Sequence, residues 1–140
     1  MSEFDMTNAK VLKIETGDAI TLPSDFVGEI NEDYGLAILV MKDHNVKLYP
    51  VKSSEVSYLR LEIQKLSKSF LEELTMVFEQ AGLEDILFTS GICQSEDECY
   101  YECYFIPKQL KISSSKMRDL LDDIPGVKKV LLQAVPVGGE

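Results

Sequence analysis

The C-terminal part of the chain alternates between strand and helix patterns, and this alternation limits the possible folds more than any other feature. Short apolar or alternating runs predict four strands, at 56–63, 86–94, 99–106 and 127–135. Two other runs have apolar residues at helical spacing and predict amphipathic helices. The first helix carries Phe70, Leu71, Leu74, Val77, Phe78 and Ala81, and the second carries Met117, Leu120, Leu121 and Ile124. The predicted order is therefore β-α-β-β-α-β.

Residues at the predicted helix ends support this order. Ser69, with Glu72 three positions later, forms a capping box that satisfies backbone N–H groups of the first turn. Gly82 suits the left-handed residue that ends a helix, and Ser113 or Ser114 caps the second helix. Right-handed connections then place the first and third strands at the centre of one antiparallel sheet, with both helices on one face. The order predicts a ferredoxin-like βαββαβ domain.

The N-terminal part of the chain has a different pattern, in which short strands are separated by turns. A helix of one or two turns is predicted over 24–30. The predicted strands lie at 10–14, 19–22, 36–41 and 46–49. About forty residues of short hairpins are usually unstable alone, because they bury too little apolar surface. This part is therefore expected to need a partner chain or a second domain.

The N-terminal pattern resembles a known DNA-binding family. Gly17–Pro23 is followed by the short helix, then by Leu36–Met41, a polar turn and Val46–Tyr49. This succession resembles the AbrB-like (SpoVT-AbrB) swapped-hairpin domain, over roughly residues 8–52. In that family two chains interlock their hairpins into a barrel, so the resemblance implies a homodimer that binds DNA. The predicted fold class is thus α+β, with an N-terminal swapped-hairpin, β-barrel-like segment and a C-terminal ferredoxin-like domain.

Lysines are the only cations that this segment offers to DNA phosphates. Residues 1–55 contain five lysines and no arginine, against ten acidic residues. The candidate DNA-binding residues are Lys10, Lys13, Lys42, Lys47 and Lys52. Lysines on the edges of strands also prevent sheets from associating edge to edge, so a purely structural role stays open for them.

The C-terminal segment, residues 56–136, resembles an ACT domain in its element order. ACT domains are small-molecule-sensing modules, and the resemblance implies dimerisation and effector sensing. Their effector lies near the loop between the first strand and the first helix, which is Gln64–Ser69 here. Backbone N–H groups at the start of the helix could hold an anion there. The candidate ligand-binding residues are Lys65, Ser67, Lys68 and Ser69.

Catalytic and metal-binding patterns are absent from the sequence. Cys93, Cys99 and Cys103 lack the spacing of a structural zinc site, and His44, the only histidine, lies in the other segment. The cysteines are therefore expected to be free, buried thiols. No phosphate-binding glycine loop or catalytic motif is present. We expect a protein that is not an enzyme and that binds no cofactor.

Charge and hydropathy bear on location and partners. The chain has 14 basic and 24 acidic side chains, a net charge of −10, so DNA binding would require a local basic patch. The acidic amino terminus and the lack of a long apolar run predict a cytoplasmic protein with no membrane span. Aromatic side chains on both faces of the strand at 99–106 favour a homodimer that forms through the sheet face or through edge strands.

Two functions agree with these patterns. The first is a dimeric transcription regulator that binds DNA through its N-terminal domain and uses its C-terminal domain for dimerisation and effector sensing. The alternative is a regulatory or oligomerisation module that has no DNA affinity and binds a protein partner or a small ligand.

Overall fold

The computed structural model describes residues 9, 11–14, 16–17 and 19–138. They form an α+β structure with two antiparallel sheets. The elements, in chain order, are α1 (Ser24–Gly28), β1 (Tyr34–Val40), β2 (Asn45–Val51), β3 (Ser57–Ile63), α2 (Lys68–Ala81), β4 (Ile86–Ser95), β5 (Glu98–Phe105), α3 (Ser114–Asp122) and β6 (Val127–Ala134). A 3₁₀ turn, Pro107–Gln109, connects β5 to α3.

The larger sheet has the strand order β4-β5-β3-β6, and all its neighbouring strands are antiparallel. Its first and third strands in sequence, β3 and β5, are central, as the sequence predicted. At the middle of the sheet Leu61 lies opposite Tyr101 on one side and Val130 on the other. The register therefore fixes which side chains share a face.

The main hydrophobic core lies between one face of this sheet and the helices α2 and α3. Alternate residues of β3 and β5 point into it, and the amphipathic faces of the two helices cover them. Residues with no exposed surface in this core are Leu59, Leu61, Ala81, Cys103, Phe105, Met117 and Leu121. The opposite face of the sheet, which the helices do not cover, is called the outer face below.

The start of α2 differs from the sequence prediction. The N-cap is Ser67, whose backbone is extended and whose hydroxyl accepts a hydrogen bond from the Phe70 N–H at 3.1 Å. Ser69 lies inside the first turn, so the predicted Ser69–Glu72 capping box is wrong. The C-terminal prediction is confirmed, because Gly82 has a φ of +81°. Ser113 is the cap of α3, and its hydroxyl accepts from the Lys116 N–H.

The described residues of the N-terminal part form a hairpin, made of β1 and β2, and the short helix α1. The turn of the hairpin includes His44, which has a φ of +53°. The predicted strands at 10–14 and 19–22 are not strands in the described residues, and Lys10 lies outside those residues. A strand needs a neighbouring strand to pair with, and the described residues provide no strand that pairs with either segment.

The hairpin packs on the larger sheet through a second hydrophobic cluster. Its buried members are Leu36, Ile38, Val51 and Val56, and Leu87, Phe88, Tyr104 and Val135 pack against them. Leu36 and Ile38 come from β1, whereas Phe88 and Tyr104 belong to the outer face of the sheet. The hairpin therefore covers one end of that face. The domain boundaries, 8–52 and 56–136, stay a prediction.

The helix faces can be tested with two leucines of α2. Leu74 is 3% exposed in the core, whereas Leu71 is 42% exposed. We expect Leu74→Ala to lower the free energy of unfolding by about 2–5 kcal/mol, since it leaves a cavity. Leu71→Ala should cost less than about 1 kcal/mol. Urea unfolding followed by circular dichroism measures both, and equal losses would contradict this packing.

The cap assignment can be tested with two neighbouring serines. Ser67→Ala removes the acceptor of the Phe70 N–H and should destabilise the protein by about 1 kcal/mol. Ser69→Ala, inside the helix, should change stability by less than about 0.5 kcal/mol. The same unfolding measurement applies. A larger loss of stability for Ser69→Ala than for Ser67→Ala would instead support the Ser69–Glu72 capping box.

Candidate functional site

The outer face of the larger sheet arranges polar and aromatic side chains in three rows. The register across β4, β5, β3 and β6 defines each row. The rows are Phe88–Tyr104–Tyr58–Gln133, then Ser90–Glu102–Arg60–Leu131, then Ile92–Tyr100–Glu62–Lys129. Because this grid depends on exact strand pairing, it brings together residues as far apart in sequence as Tyr58 and Gln133.

Two members of the first row, Phe88 and Tyr104, lie under the hairpin. The Phe88 and Tyr104 rings are 6.2 Å apart and pack against the hairpin cluster. The Lys47 ammonium of β2 lies 5.2 Å from the centre of the Phe88 ring, which is cation–π distance. The other two rows are open to solvent. Their residues on β3, β4 and β5 line a concavity with a volume of about 430 Å³. Its lining is Tyr58, Arg60, Glu62, Ser90, Ile92, Gln94, Tyr100 and Glu102.

Tyr58 links the covered row to the open concavity. Its hydroxyl donates a 2.6 Å hydrogen bond to the Glu102 carboxylate, and its ring lies 4.9 Å from that of Tyr104. Burial, and then the hydrogen bond to the Glu102 carboxylate, raise the pKa of Tyr58. Burial also raises the pKa of Tyr104. Tyr58 therefore stays a neutral donor that holds Glu102 in place.

Arg60 lies at the centre of the open rows, and no ion pair joins it to another of the residues that the structure describes. Its Nε atom is buried and has no hydrogen-bond partner among the described residues. Glu102 lies opposite it on β5 but accepts from Tyr58, and Glu62 forms a long 4.0 Å ion pair with Lys129. A buried N–H without an acceptor is costly. A ligand that supplied an acceptor to the Arg60 Nε–H would therefore remove this cost.

Of the lysines predicted to bind DNA, the four that the structure describes, Lys13, Lys42, Lys47 and Lys52, lie on separate parts of the chain's surface. Lys42 lies in the hairpin turn and Lys52 follows the opposite end of β2, about 20 Å away along the strand. Lys47 points towards Phe88 on the larger sheet. Lys13 is exposed outside any strand, and Lys10 is outside the described residues.

The predicted effector loop lies beside β4. Leu66 of this loop packs on Gly91, where an added Cβ would lie 2.8 Å from its Cδ2. The Ser67 hydroxyl is occupied by helix capping, while Lys65, Lys68 and Ser69 are exposed. The structure therefore brings these four residues together at the start of α2, with three side chains open to solvent.

The cysteine prediction is wrong for two of the three residues. Cys93 and Cys99 lie directly opposite each other on β4 and β5 and form a disulfide. Cys103 is a free, buried thiol, and burial raises its pKa to about 12. The sequence carried the needed signal, since the predicted hairpin already placed Cys93 and Cys99 on adjacent strands. Spacing rules for zinc sites do not detect such a pair.

Sequence reasoning also missed an apolar surface on the hairpin. The face turned away from the larger sheet, here called the bare hairpin face, consists of Gly35, Ala37, Leu39, Val46, Leu48 and Pro50. Leu39 and Val46 lie opposite each other and are 63% and 62% exposed. Every side chain on this face is apolar. The strand predicted at 36–41 buries only one of its faces within the described residues of one chain.

Comparison with known proteins gives no family for this chain. No protein-family model matches it, and no curated protein matches it. Within the described residues, no helix combines the length and apolar character needed to cross a bilayer. No group of three or more His, Cys, Asp or Glu side chains in that same part of the chain could hold a metal ion.

The raised tyrosine pKa values predict a loss of stability in alkali. Folding favours the neutral phenols of Tyr58 and Tyr101, the pKa of Tyr101 being raised by burial to about 12. Their contribution is complete below pH 10 and falls as the pH rises from 10 towards the folded-state pKa values. Tm should therefore decrease over this range, and less steeply in Tyr58→Phe. Tyr34→Phe, at an exposed position, is the matched control, and identical slopes for wild type and Tyr58→Phe would contradict the prediction.

Proposed function

We propose that this chain is one protomer of a homodimeric transcription regulator whose N-terminal segments interlock and bind DNA. In this proposal the C-terminal sheet and helices form an ACT-like domain that contributes to dimerisation and senses an effector. The observation that carries the proposal is the bare hairpin face together with the exposed apolar residues that precede it. These preceding residues are Val11, Leu12, Ile14, Ile20, Leu22, Phe26 and Val27.

The apolar surface is too concentrated for a solvated strand pair. Strands with one face in water normally alternate apolar and polar residues, but β1 is apolar on both faces from Leu36 to Leu39. Burying one large aliphatic side chain is worth about 1.5–3 kcal/mol. Covering the partly exposed Leu39, Val46 and Leu48 with a second chain would therefore favour association, and burial of the exposed apolar residues before β1 would add to this gain.

The resemblance to AbrB-like domains implies a way in which a second chain would cover the bare hairpin face. Its interlocked hairpins would give the segments at 11–14 and 19–22 neighbouring strands to pair with, which the described residues of one chain do not provide. The order of Pro23, α1 and the β1–β2 hairpin in the structure agrees with this arrangement. Dimerisation and the formation of the two N-terminal strands would then be one event.

DNA contact would come from lysines of both chains. Lys13, Lys42 and Lys52 are exposed, and a two-fold axis would double their number. Phosphate contacts supply affinity by releasing counterions, so binding of this kind is strongly salt-dependent. The effector-binding residues Lys65, Ser67, Lys68 and Ser69 stay a prediction in this proposal.

The described candidate DNA-binding lysines do not form one basic surface in a single chain, and this favours a second candidate function. A module that has no DNA affinity, and that binds a small ligand or a protein partner, needs no basic surface. The open rows of the outer face, with the unpartnered Arg60 Nε, offer such a module a polar binding surface. The chain's net charge of −10 also favours this candidate.

The dimer can be tested with two leucines that are equally exposed in one chain. Leu48 on the bare hairpin face is 41% exposed and Leu71 on α2 is 42% exposed. We expect the wild-type chain to sediment at twice the mass of one chain at micromolar concentration. Leu48→Asp should weaken the dimer by at least tenfold, since it buries a charge at the interface, whereas Leu71→Asp should not. A monomeric wild-type chain would overturn the proposal. Val46→Asp, on the same face, should also weaken the dimer, so that the effect of Leu48→Asp cannot be due to misfolding of that one variant.

DNA binding is tested by titration with salt. Fluorescence anisotropy with a mixed-sequence duplex should show binding at about 50 mM salt that weakens steeply as salt is raised. Lys42→Gln should weaken it, and Lys116→Gln, on the exposed side of α3, should not. No binding by a confirmed dimer at about 50 mM salt would favour the module without DNA affinity.

A further inference from the structure

The Cys93–Cys99 disulfide joins the edge strand β4 to β5 beside the acidic turn at 96–97. Cys93 is exposed, whereas Cys99 is only 2% exposed and belongs to the main core. The residues Gly91–Ser95 at this end of β4 are all exposed. Besides backbone pairing, the contact of Leu66 with Gly91 and a hydrogen bond that the Ser95 hydroxyl donates to the Asp97 carboxylate, the disulfide is what holds this end of the edge strand among the described residues.

We infer that Cys93–Cys99 is a reversible thiol–disulfide exchange site that opens at Cys93 and whose redox state sets the order of this end of the β4–β5 hairpin. The chemical partner is a dithiol reductant, which gains a disulfide as the protein loses one. The inference does not depend on the proposed function.

The difference in burial decides which sulfur is attacked. A thiolate reaches the exposed Cys93 Sγ, forms a mixed disulfide there and displaces Cys99 Sγ as a thiolate. The Cys99 thiolate takes up a proton, because burial in the core favours a neutral thiol, as it does at Cys103. The second thiolate of the reagent then attacks the reagent's own sulfur in the mixed disulfide, and the Cys93 thiolate leaves and is protonated. Two electrons and two protons are transferred in total.

Cys103 does not take part in this exchange. It lies four residues beyond Cys99 along β5, about 13 Å away, and it is fully buried. A disulfide between Cys103 and either partner would require the strands to separate. Cys103 therefore serves as an internal control for access to buried thiols.

Opening the disulfide would change the concave surface on the outer face. Ser90, Ile92 and Gln94 of β4 and Tyr100 of β5 line that surface and flank the disulfide in sequence. Oxidation links these strands covalently, whereas reduction leaves the exposed end of β4 held by backbone pairing, the Leu66–Gly91 contact and the Ser95–Asp97 hydrogen bond. The redox state would thus determine whether the surface is preformed, since a disulfide limits local opening.

The test uses the full chain in its native state. The oxidised protein is treated with dithiothreitol, alkylated with iodoacetamide without denaturant, and analysed by peptide mass spectrometry. We expect alkylation of Cys93 after reduction, and alkylation of Cys103 only after unfolding. Hydrogen exchange at 91–98 should become at least about tenfold faster on reduction, while exchange at 57–63 in β3 stays unchanged. Oxidised dithiothreitol should reverse both changes.

Two variants separate this device from a general loss of structure. In Cys93→Ser, exchange at 91–98 should be fast under both conditions, whereas Cys103→Ala should retain the redox difference. Three outcomes would overturn the inference: free Cys93 and Cys99 thiols after oxidation, a disulfide that is reduced only in denaturant, or equal hydrogen exchange at 91–98 in both redox states.

Discussion

The structure depends on the burial of one face of a four-stranded antiparallel sheet under α2 and α3. Leu59, Leu61 and Phe105 have no exposed surface there, and this packing fixes the register of the central strands. Once the register is fixed, every second residue of those strands belongs to the outer face. The rows around Arg60 are therefore a direct consequence of core packing on the other side of the sheet.

The sequence was most informative where one periodicity continued over several turns or strands. The apolar stripe of α2 and the strand order of the larger sheet were predictable, because burial on one face imposes a regular spacing. The cap at Ser67 was not, since Ser67 and Ser69 both precede an apolar run and only backbone geometry separates them. The strands at 10–14 and 19–22 were predicted from local residue types, which do not report whether a neighbouring strand exists.

The candidate surfaces were harder to predict because they combine distant residues. Arg60 meets Glu102 only through strand register, and Lys47 meets Phe88 only because the hairpin folds onto the sheet. The bare hairpin face was hidden for another reason. A strand that is apolar on both faces resembles a buried strand in sequence, whether its second cover comes from the same chain or from another.

Tyr58 gives the two halves of the chain a shared support. It holds Glu102 at the open rows, and its ring contacts Tyr104, which packs under the hairpin. A molecule that displaced Tyr58 would change how the hairpin packs on the larger sheet. A movement of the hairpin would, in turn, change the affinity of this sheet face for that molecule. Reciprocity requires the two effects to have the same coupling free energy. The contact between the Tyr58 and Tyr104 rings thus couples the open concavity directly to the packing of the hairpin.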